Sequence, residues 1–377
     1  MIRLVLRLAL SLLPSWLRPW GEAAARETMS IDRPGAALVF ALGFLVWASR
    51  AAVTARRTAP TNREVPYRHE DEPMRLFENL SGPRGAAVTC AAVATGLGLV
   101  YMAVGGAPLG YPVINIGAFA FGAAILAILA LADRRGHLPA GPVAAALGAV
   151  IPLTALWGVS ADGVARWITV GPVALQPSLI VLPLMILLFG RSRDILGLIG
   201  VALAAAGLAL QPDRGMAGAL AAGLVVLAAV RPGGTTTVAA ALACVALIVT
   251  LARADPSPAV PYVDQILFTS FAVHPLIGAA VVLGAGLLIV PALAGLRGAA
   301  EERAASLVFG ATWAAVVAAA ALGNFPTPLV GYGGSAIIGY LISLAVLPRR
   351  ATKAMAASDE QRDEAGSDRP ALLATAS

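Results

Sequence analysis

Four short polar clusters interrupt an otherwise apolar chain, and each holds residue types capable of acid–base or anion-binding chemistry. Arg166 and Trp167 lie in Gly163 to Ile168, and Gln176-Pro177-Ser178 follows them. Gln211-Pro212-Asp213-Arg214-Gly215 forms the second cluster, and Asp264 stands in the third, Pro261 to Phe268. The fourth, Pro326 to Ser335, has no charge but contains Tyr332, Gly333, Gly334 and Ser335. A guanidinium grips carboxylate or phosphate oxygens in bidentate fashion, and a carboxylate beside a hydroxyl is a general base. Glycines let backbone amides approach a ligand. Each cluster also has a purely structural reading. Arg166 and Trp167 suit an interfacial anchor, Asp213 and Asp264 suit helix N-caps, and the glycines suit close helix contact. His274-Pro275 falls inside an apolar run, where a histidine bonded to a neighbouring helix is expected in preference to a ligand.

The elements that must position these clusters follow from composition. Of 377 residues, 58% are hydrophobic and 13% charged, against about 45 to 50% and about 25% in a soluble domain. That balance excludes a water-soluble globule. A span needs about 20 apolar residues, so the length accommodates on the order of ten. The 39 Gly and 26 Pro sit within or beside apolar runs, where membrane helices tolerate them. The net charge of +6 arises from basic residues scattered singly, which argues for membrane topology and against a nucleic-acid partner. Only two cysteines, Cys90 and Cys244, and three separated histidines, His69, His137 and His274, are present. Neither a disulfide framework nor a Cys- or His-based metal site is expected.

Apolar runs predict spans near 85 to 104, 112 to 132, 140 to 158, 177 to 190, 194 to 210, 215 to 230, 235 to 252, 266 to 294, 304 to 322 and 334 to 347, preceded by one near 35 to 50. The fold class expected is an all-α polytopic bundle with ten core spans and an additional N-terminal helical region. One set of loops carries Arg134, Arg135, Arg191, Arg193, Arg231, Arg297, Arg303, Arg349, Arg350 and Lys353, and the other carries Arg166, Arg214 and Arg253. By the positive-inside rule the first set is cytoplasmic. All four polar clusters then face outward, and the C-terminus is cytoplasmic.

Four regions are expected. Residues 1–33 form an amphipathic or anchoring segment, with Arg3, Arg7 and Ser11 at four-residue intervals among Leu and Trp, as in a helix lying in the membrane interface. A cleavable leader ending near Ala23 to Ala25 is the competing reading. Residues 34–84 add an apolar helix and a charged cytoplasmic loop, 85–348 form the ten-span domain, and 349–377 form a disordered cytoplasmic tail.

Taken in order, the four clusters resemble the SEDS family of shape, elongation, division and sporulation proteins, typified by FtsW and RodA. The family's Gly-x-x-Arg-Trp-Ile followed by Gln-Pro-Ser-Glu is similar to Gly163 to Ile168 and Gln176 to Ser178. Its Gln-Pro-Asp-x-Gly-Thr resembles Gln211 to Met216, its Asp-Phe-Ile-Phe resembles Asp264 to Leu267, and its Pro-x-x-Ser-Tyr-Gly-Gly-Ser resembles Pro328 to Ser335. The likeness covers residues 85 to 348.

The resemblance implies a multi-pass protein of the bacterial cytoplasmic membrane that polymerises lipid II outside it, in cell shape or cell division, with a class B penicillin-binding protein as partner. Asp264 matches the family's catalytic carboxylate. Arg166, Trp167, Gln176, Ser178, Gln211, Asp213, Tyr332, Gly333, Gly334 and Ser335 match its substrate-binding positions. A divalent cation would share the charge of the lipid pyrophosphate, although the sequence has no all-protein carboxylate cage. The family's Glu and Lys are replaced by Leu179 and Leu182, its Thr by Met216, its Ser by Gly331, and its Glu-Glu by Ala272-Val273. The outward loop before Asp264 shrinks to Arg253 through Val263. A catalytically silent relative that scaffolds a penicillin-binding protein or binds lipid-linked precursor is therefore the alternative function. A lipid or solute transporter is the second alternative, and it would require inverted repeats with broken helices.

Overall fold

A computed structural model describes residues 83–134, 138–161, 164–171, 173–253 and 258–347, together with 17–30 and scattered positions between 6 and 48. The charged stretch before residue 83, the tail from 348 onward and most of the amphipathic pattern at 2 to 17 lie outside the described residues. The chain divides into two compact units, Met1–Glu70 and Asp71–Ser377.

In the first unit, helix α1 (Arg18–Met29) has a proline in its first turn, where the missing amide costs nothing. Its Ala24 and Ala25 pack with Leu10 and Leu17 on a small cluster of Leu6, Leu13, Ala41, Phe44 and Ala48.

The second unit is an all-α membrane bundle carrying one small sheet. Its helices are α2 (Pro83–Val104), α3 (Gly110–Arg134), α4 (Ala140–Trp157), α5 (Pro177–Ser192), α6 (Ile195–Leu210), α7 (Arg214–Val230) and α8 (Gly234–Leu251). Then come α9 (Ile266–Val273), α10 (Pro275–Leu287), α11 (Val290–Ala294), α12 (Ala300–Leu322) and α13 (Gly334–Ser343). Five of these are long and apolar enough to cross a membrane, and α10 with α11 makes a sixth, bent by 41°. Four shorter apolar helices complete the ten expected segments: α5, α6, α7 and the stretch Gly334–Val346. Shortness is tolerable where neighbours replace lipid. Every residue of α13 is buried, as is most of α5.

The predicted span 266 to 294 is not one helix. It breaks at His274-Pro275, where the proline lacks an amide and the residue before it is driven out of helical geometry. His274 is extended (φ −168, ψ 141), and its Nδ1 accepts from the Leu276 amide at 3.2 Å. The histidine caps α10 instead of bonding to a neighbouring helix, and it is exposed.

Glycine sets the closest helix crossings. A Cβ on Gly148 of α4 would strike the Gly200 carbonyl of α6, and one on Gly339 of α13 would strike the Leu179 carbonyl of α5. Van der Waals contact between backbones, the main cohesive force between helices in lipid, depends on those absent side chains. Buried polar links add to this contact. The Tyr340 hydroxyl donates to the Leu288 carbonyl at 3.1 Å, and Trp313 stacks edge-on to Tyr340 with centroids 5.0 Å apart.

Basic residues gather at one end of the unit as charge patterning predicts. Arg191 pairs with Asp133, and Arg193 and Arg231 both reach Glu301 at 3.3 Å. The four polar clusters occupy the opposite end.

Candidate functional site

The stretch 159–175, expected as a loop, is a three-stranded antiparallel sheet of β1 (Val159–Ala161), β2 (Val164–Val170) and β3 (Val173–Leu175). Val159 pairs with Trp167 and Val170 with Val173. Gly171, at φ 59, allows the tight turn from β2 to β3. Strand alternation sends Val164 and Arg166 inward, leaving Trp167 half-buried and Val170 exposed.

Arg166, only 3% exposed, donates from Nε to the Gln211 carbonyl at 3.1 Å and from a terminal nitrogen to the Pro212 carbonyl at 2.6 Å. Sheet and turn are thereby clamped just before Asp213. The Gln211 side chain donates to the Ile151 carbonyl at 2.9 Å, fixing the same turn to α4.

Asp213 is fully buried and is the centre of a hydrogen-bonded knot. Its Oδ2 accepts from Gln176 Nε2 at 2.9 Å and from the Ser178 hydroxyl at 3.0 Å. Its Oδ1 caps α7 by accepting from the Met216 amide at 3.1 Å. Three donors and a helix N-terminus can hold a carboxylate away from water. The Gln176 backbone N–H in turn donates to Ser335 Oγ at 2.8 Å, so α5, α7 and α13 all begin at this knot. Arg214 faces elsewhere, donating to the Thr250 carbonyl at 3.2 Å, and does not pair with Asp213 as their adjacency in sequence allows.

Asp264 lies before α9 but does not cap it. Gln265, in left-handed geometry (φ 56), is the N-cap, and Asp264 Oδ2 reaches back to the Val260 amide at 2.8 Å. The segment is seated on the glycine-rich loop by two backbone bonds, Thr327 amide to Val263 carbonyl at 3.0 Å and Tyr332 amide to Tyr262 carbonyl at 2.7 Å. Tyr262 and Leu329 also have positive φ, both 64. Backbone strain of this kind persists only where surrounding structure over-determines it, and it concentrates at functional loops. One loop thus joins Asp264 to the knot: it binds the Asp264 segment through Thr327 and Tyr332 and meets Gln176 through Ser335.

Sequence reasoning missed the residue that shapes this loop. Asn115, buried within α3, donates to the Gly331 carbonyl at 2.9 Å and accepts from the Gly333 amide at 3.1 Å. Its signal was a lone amide inside an apolar run, which is costly without a partner. Gly333 adopts φ 154, and a Cβ on Gly331 would lie 2.9 to 3.2 Å from the carbonyls of Thr327, Tyr262 and Val263. The glycine found where the resembled motif has Ser is therefore required by this loop's own geometry. Replacing Asn115 with Ala should strand both loop groups and destabilise the protein by about 2 kcal/mol. Faster proteolysis within 323–333 and a lower Tm would show it, whereas an unchanged melt would remove Asn115 from the loop's support.

Also missed was a chain of three tyrosines that starts at the Tyr332 ring. Tyr111 stacks on Tyr332 with centroids 3.7 Å apart and planes 7° apart, and Tyr262 lies near both Tyr111 (6.3 Å) and Tyr101 (5.8 Å). Burial, then proximity to Tyr111, pushes the Tyr332 phenol above its ordinary pKa. Among the described residues no three acidic, histidine or cysteine side chains gather to hold a metal.

Comparison with solved structures gives the fold a precedent. The chain matches the crystal structure of the rod-shape-determining protein RodA from Thermus thermophilus at a TM-score of 0.52 and 22% identity, covering 69% of this chain and 94% of that one. A single-substitution variant of the same protein matches at 0.52 and 23%, with the same coverage. A chain of a peptidoglycan synthase complex matches at 0.47 and 21%. No protein-family model matches the sequence, and no curated protein matches it either. The chain has the RodA fold.

Proposed function

We propose that this protein is a divergent SEDS-type protein of the bacterial cell envelope and that its inherited reaction is polymerisation of lipid II. The observation that carries the reading is the single glycine-rich loop linking the Asp264 segment to the Gln176–Asp213 knot. In the proposed reaction the acceptor sugar hydroxyl attacks the anomeric carbon of the lipid-linked donor, Asp264 takes the hydroxyl proton, and undecaprenyl pyrophosphate leaves. Arg166 acts as a positioning residue, since its guanidinium holds the carbonyls that lead into Asp213. The Asp213 carboxylate accepts from three donors, which disfavours it as a metal ligand. A divalent cation bound with the diphosphate would supply the positive charge that the leaving group requires.

Specific observations also favour the silent reading. Leu179 and Leu182, at the positions of the family's Glu and Lys, are buried in the apolar core, and the polar residues of the knot are turned toward one another. In that case the protein binds lipid-linked precursor or scaffolds a class B penicillin-binding protein. Purified protein assayed on lipid II, alone and with a co-purified penicillin-binding protein, separates the two: glycan strands made in either condition support the enzyme, and their absence in both leaves the scaffold. The reading also requires the polar end to face outward. Fusion reporters at positions 162 and 258 should report the outer side and one at 352 the cytoplasm, and an inward result at 162 or 258 removes the site from its substrate.

A further inference from the structure

At the arginine-rich end, away from the knot, a cavity of about 390 Å³ lies between Arg193, Arg231 and the Pro232–Thr236 turn that opens α8. It is held in shape by side-chain bonds to backbone. The Thr235 hydroxyl donates to the Arg193 carbonyl at 2.8 Å, and the Thr236 hydroxyl bridges the Arg231 and Gly233 carbonyls at 2.9 Å each. Arg193 ends α5 in left-handed geometry (φ 49, ψ 25), where glycine is the usual occupant. An arginine at that position departs from local preference, as happens where a side chain serves a ligand.

The charge is unbalanced. Arg193 and Arg231 share one carboxylate, Glu301, at 3.3 Å each, and their side chains remain 32% and 24% exposed. The neighbouring Asp194 is directed elsewhere, capping α6 through the Gly197 amide at 2.7 Å. Gly233 offers no side chain to cap α8, and the space around Gly234 is open, so the helix end adds partial positive charge to the two guanidiniums. Helices α6 and α8 both begin beside this cavity, at Ile195 and Gly234. Helices α6 and α8 pack side by side and expose Ile195, Leu196 and Ile199 on one and Val238 and Val245 on the other.

We propose that Arg193 and Arg231 bind the phosphate of an anionic phospholipid whose acyl chains lie along the exposed faces of α6 and α8. A soluble phosphate would use the cations alone, whereas a lipid uses both the cations and the apolar surface beside them. Basic pockets between spans commonly recognise anionic headgroups in this way.

The test uses the full chain in phosphatidylcholine nanodiscs with graded phosphatidylglycerol, reading bound phosphatidylglycerol by native mass spectrometry after release into detergent. Arg193→Gln and Arg231→Gln should each weaken retention about five-fold. Glu301→Gln, which removes the competing carboxylate, should strengthen it by a similar factor, a gain that misfolding does not produce. Arg303→Gln, exposed and outside the cavity, should change nothing. Equal retention by wild type, Arg193→Gln, Arg231→Gln and Glu301→Gln overturns the proposal. So does saturable displacement of the lipid by inorganic phosphate alone, which would make this a site for soluble anions. Lipid II assays read the opposite end of the bundle, so failure here leaves the proposed function untouched.

Discussion

Asp264→Asn is expected to abolish the proposed polymerisation while leaving the protein folded. A general base contributes about 10²- to 10⁴-fold to rate, and an amide of the same shape has no basicity to offer. The structural role survives the change, because the Asn carbonyl oxygen can still accept from the Val260 amide that now meets Asp264 Oδ2 at 2.8 Å. Nor is a helix cap at risk, since Gln265 holds the N-cap of α9. Lipid II polymerisation should therefore fall by at least about two orders of magnitude, with Tm and penicillin-binding-protein capture near wild type. Function retained in cells carrying Asp264→Asn, together with no polymerisation by the wild type, would rule out the enzyme and leave the scaffold.

Asp213→Ala should behave in the opposite way, costing stability before anything else. The substitution strands two donors in a fully buried position, the Ser178 hydroxyl and the Met216 amide, and leaves Gln176 Nε2 with only Ser178 Oγ at 3.2 Å. At roughly 1 to 3 kcal/mol for each unsatisfied buried group, the loss is about 3 kcal/mol. It would appear as a clear drop in Tm in detergent and as reduced yield of folded protein. Asp213→Asn should lie between, because its carbonyl oxygen can keep the cap on α7 while its amide nitrogen meets the Ser178 hydroxyl as acceptor. If Asp213→Ala melts like wild type, the carboxylate is not a structural hub and becomes available for substrate. Measured together, the two aspartates separate a chemical role from an architectural one at the same end of the bundle.

Membrane physics explains why so much of the architecture is legible in the amino-acid sequence. In lipid, helices are the available way to satisfy a backbone when no barrel is built, so apolar runs translate directly into helices. Observed boundaries such as Ala140–Trp157, Arg214–Val230 and Gly234–Leu251 fall within about two residues of the predicted spans. The broken span at His274-Pro275 shows the limit of that logic. Apolarity runs through the break, and the proline's missing amide decides it. The sheet at 159–175 shows another limit, because outside the hydrocarbon the backbone is again free to choose, and the turn at Gly171 with a buried Arg166 selects strands.

By itself, then, the sequence determined an all-α bundle of ten apolar segments, the segregation of arginines to one end, and four polar clusters at the other. Those properties follow from one-dimensional quantities: apolar length, charge placement and motif order. Tertiary structure alone decided what the clusters do to one another. It turned Arg166 onto the carbonyls before Asp213, made Asp213 the acceptor for α5 and α7, and moved Asp264 off the helix cap onto a loop held by Asn115. It also brought Arg193 and Arg231, 38 positions apart, to a shared Glu301. Hydrogen bonds of about 3 Å depend on how separate segments cross in space, and no local spacing along the chain records that.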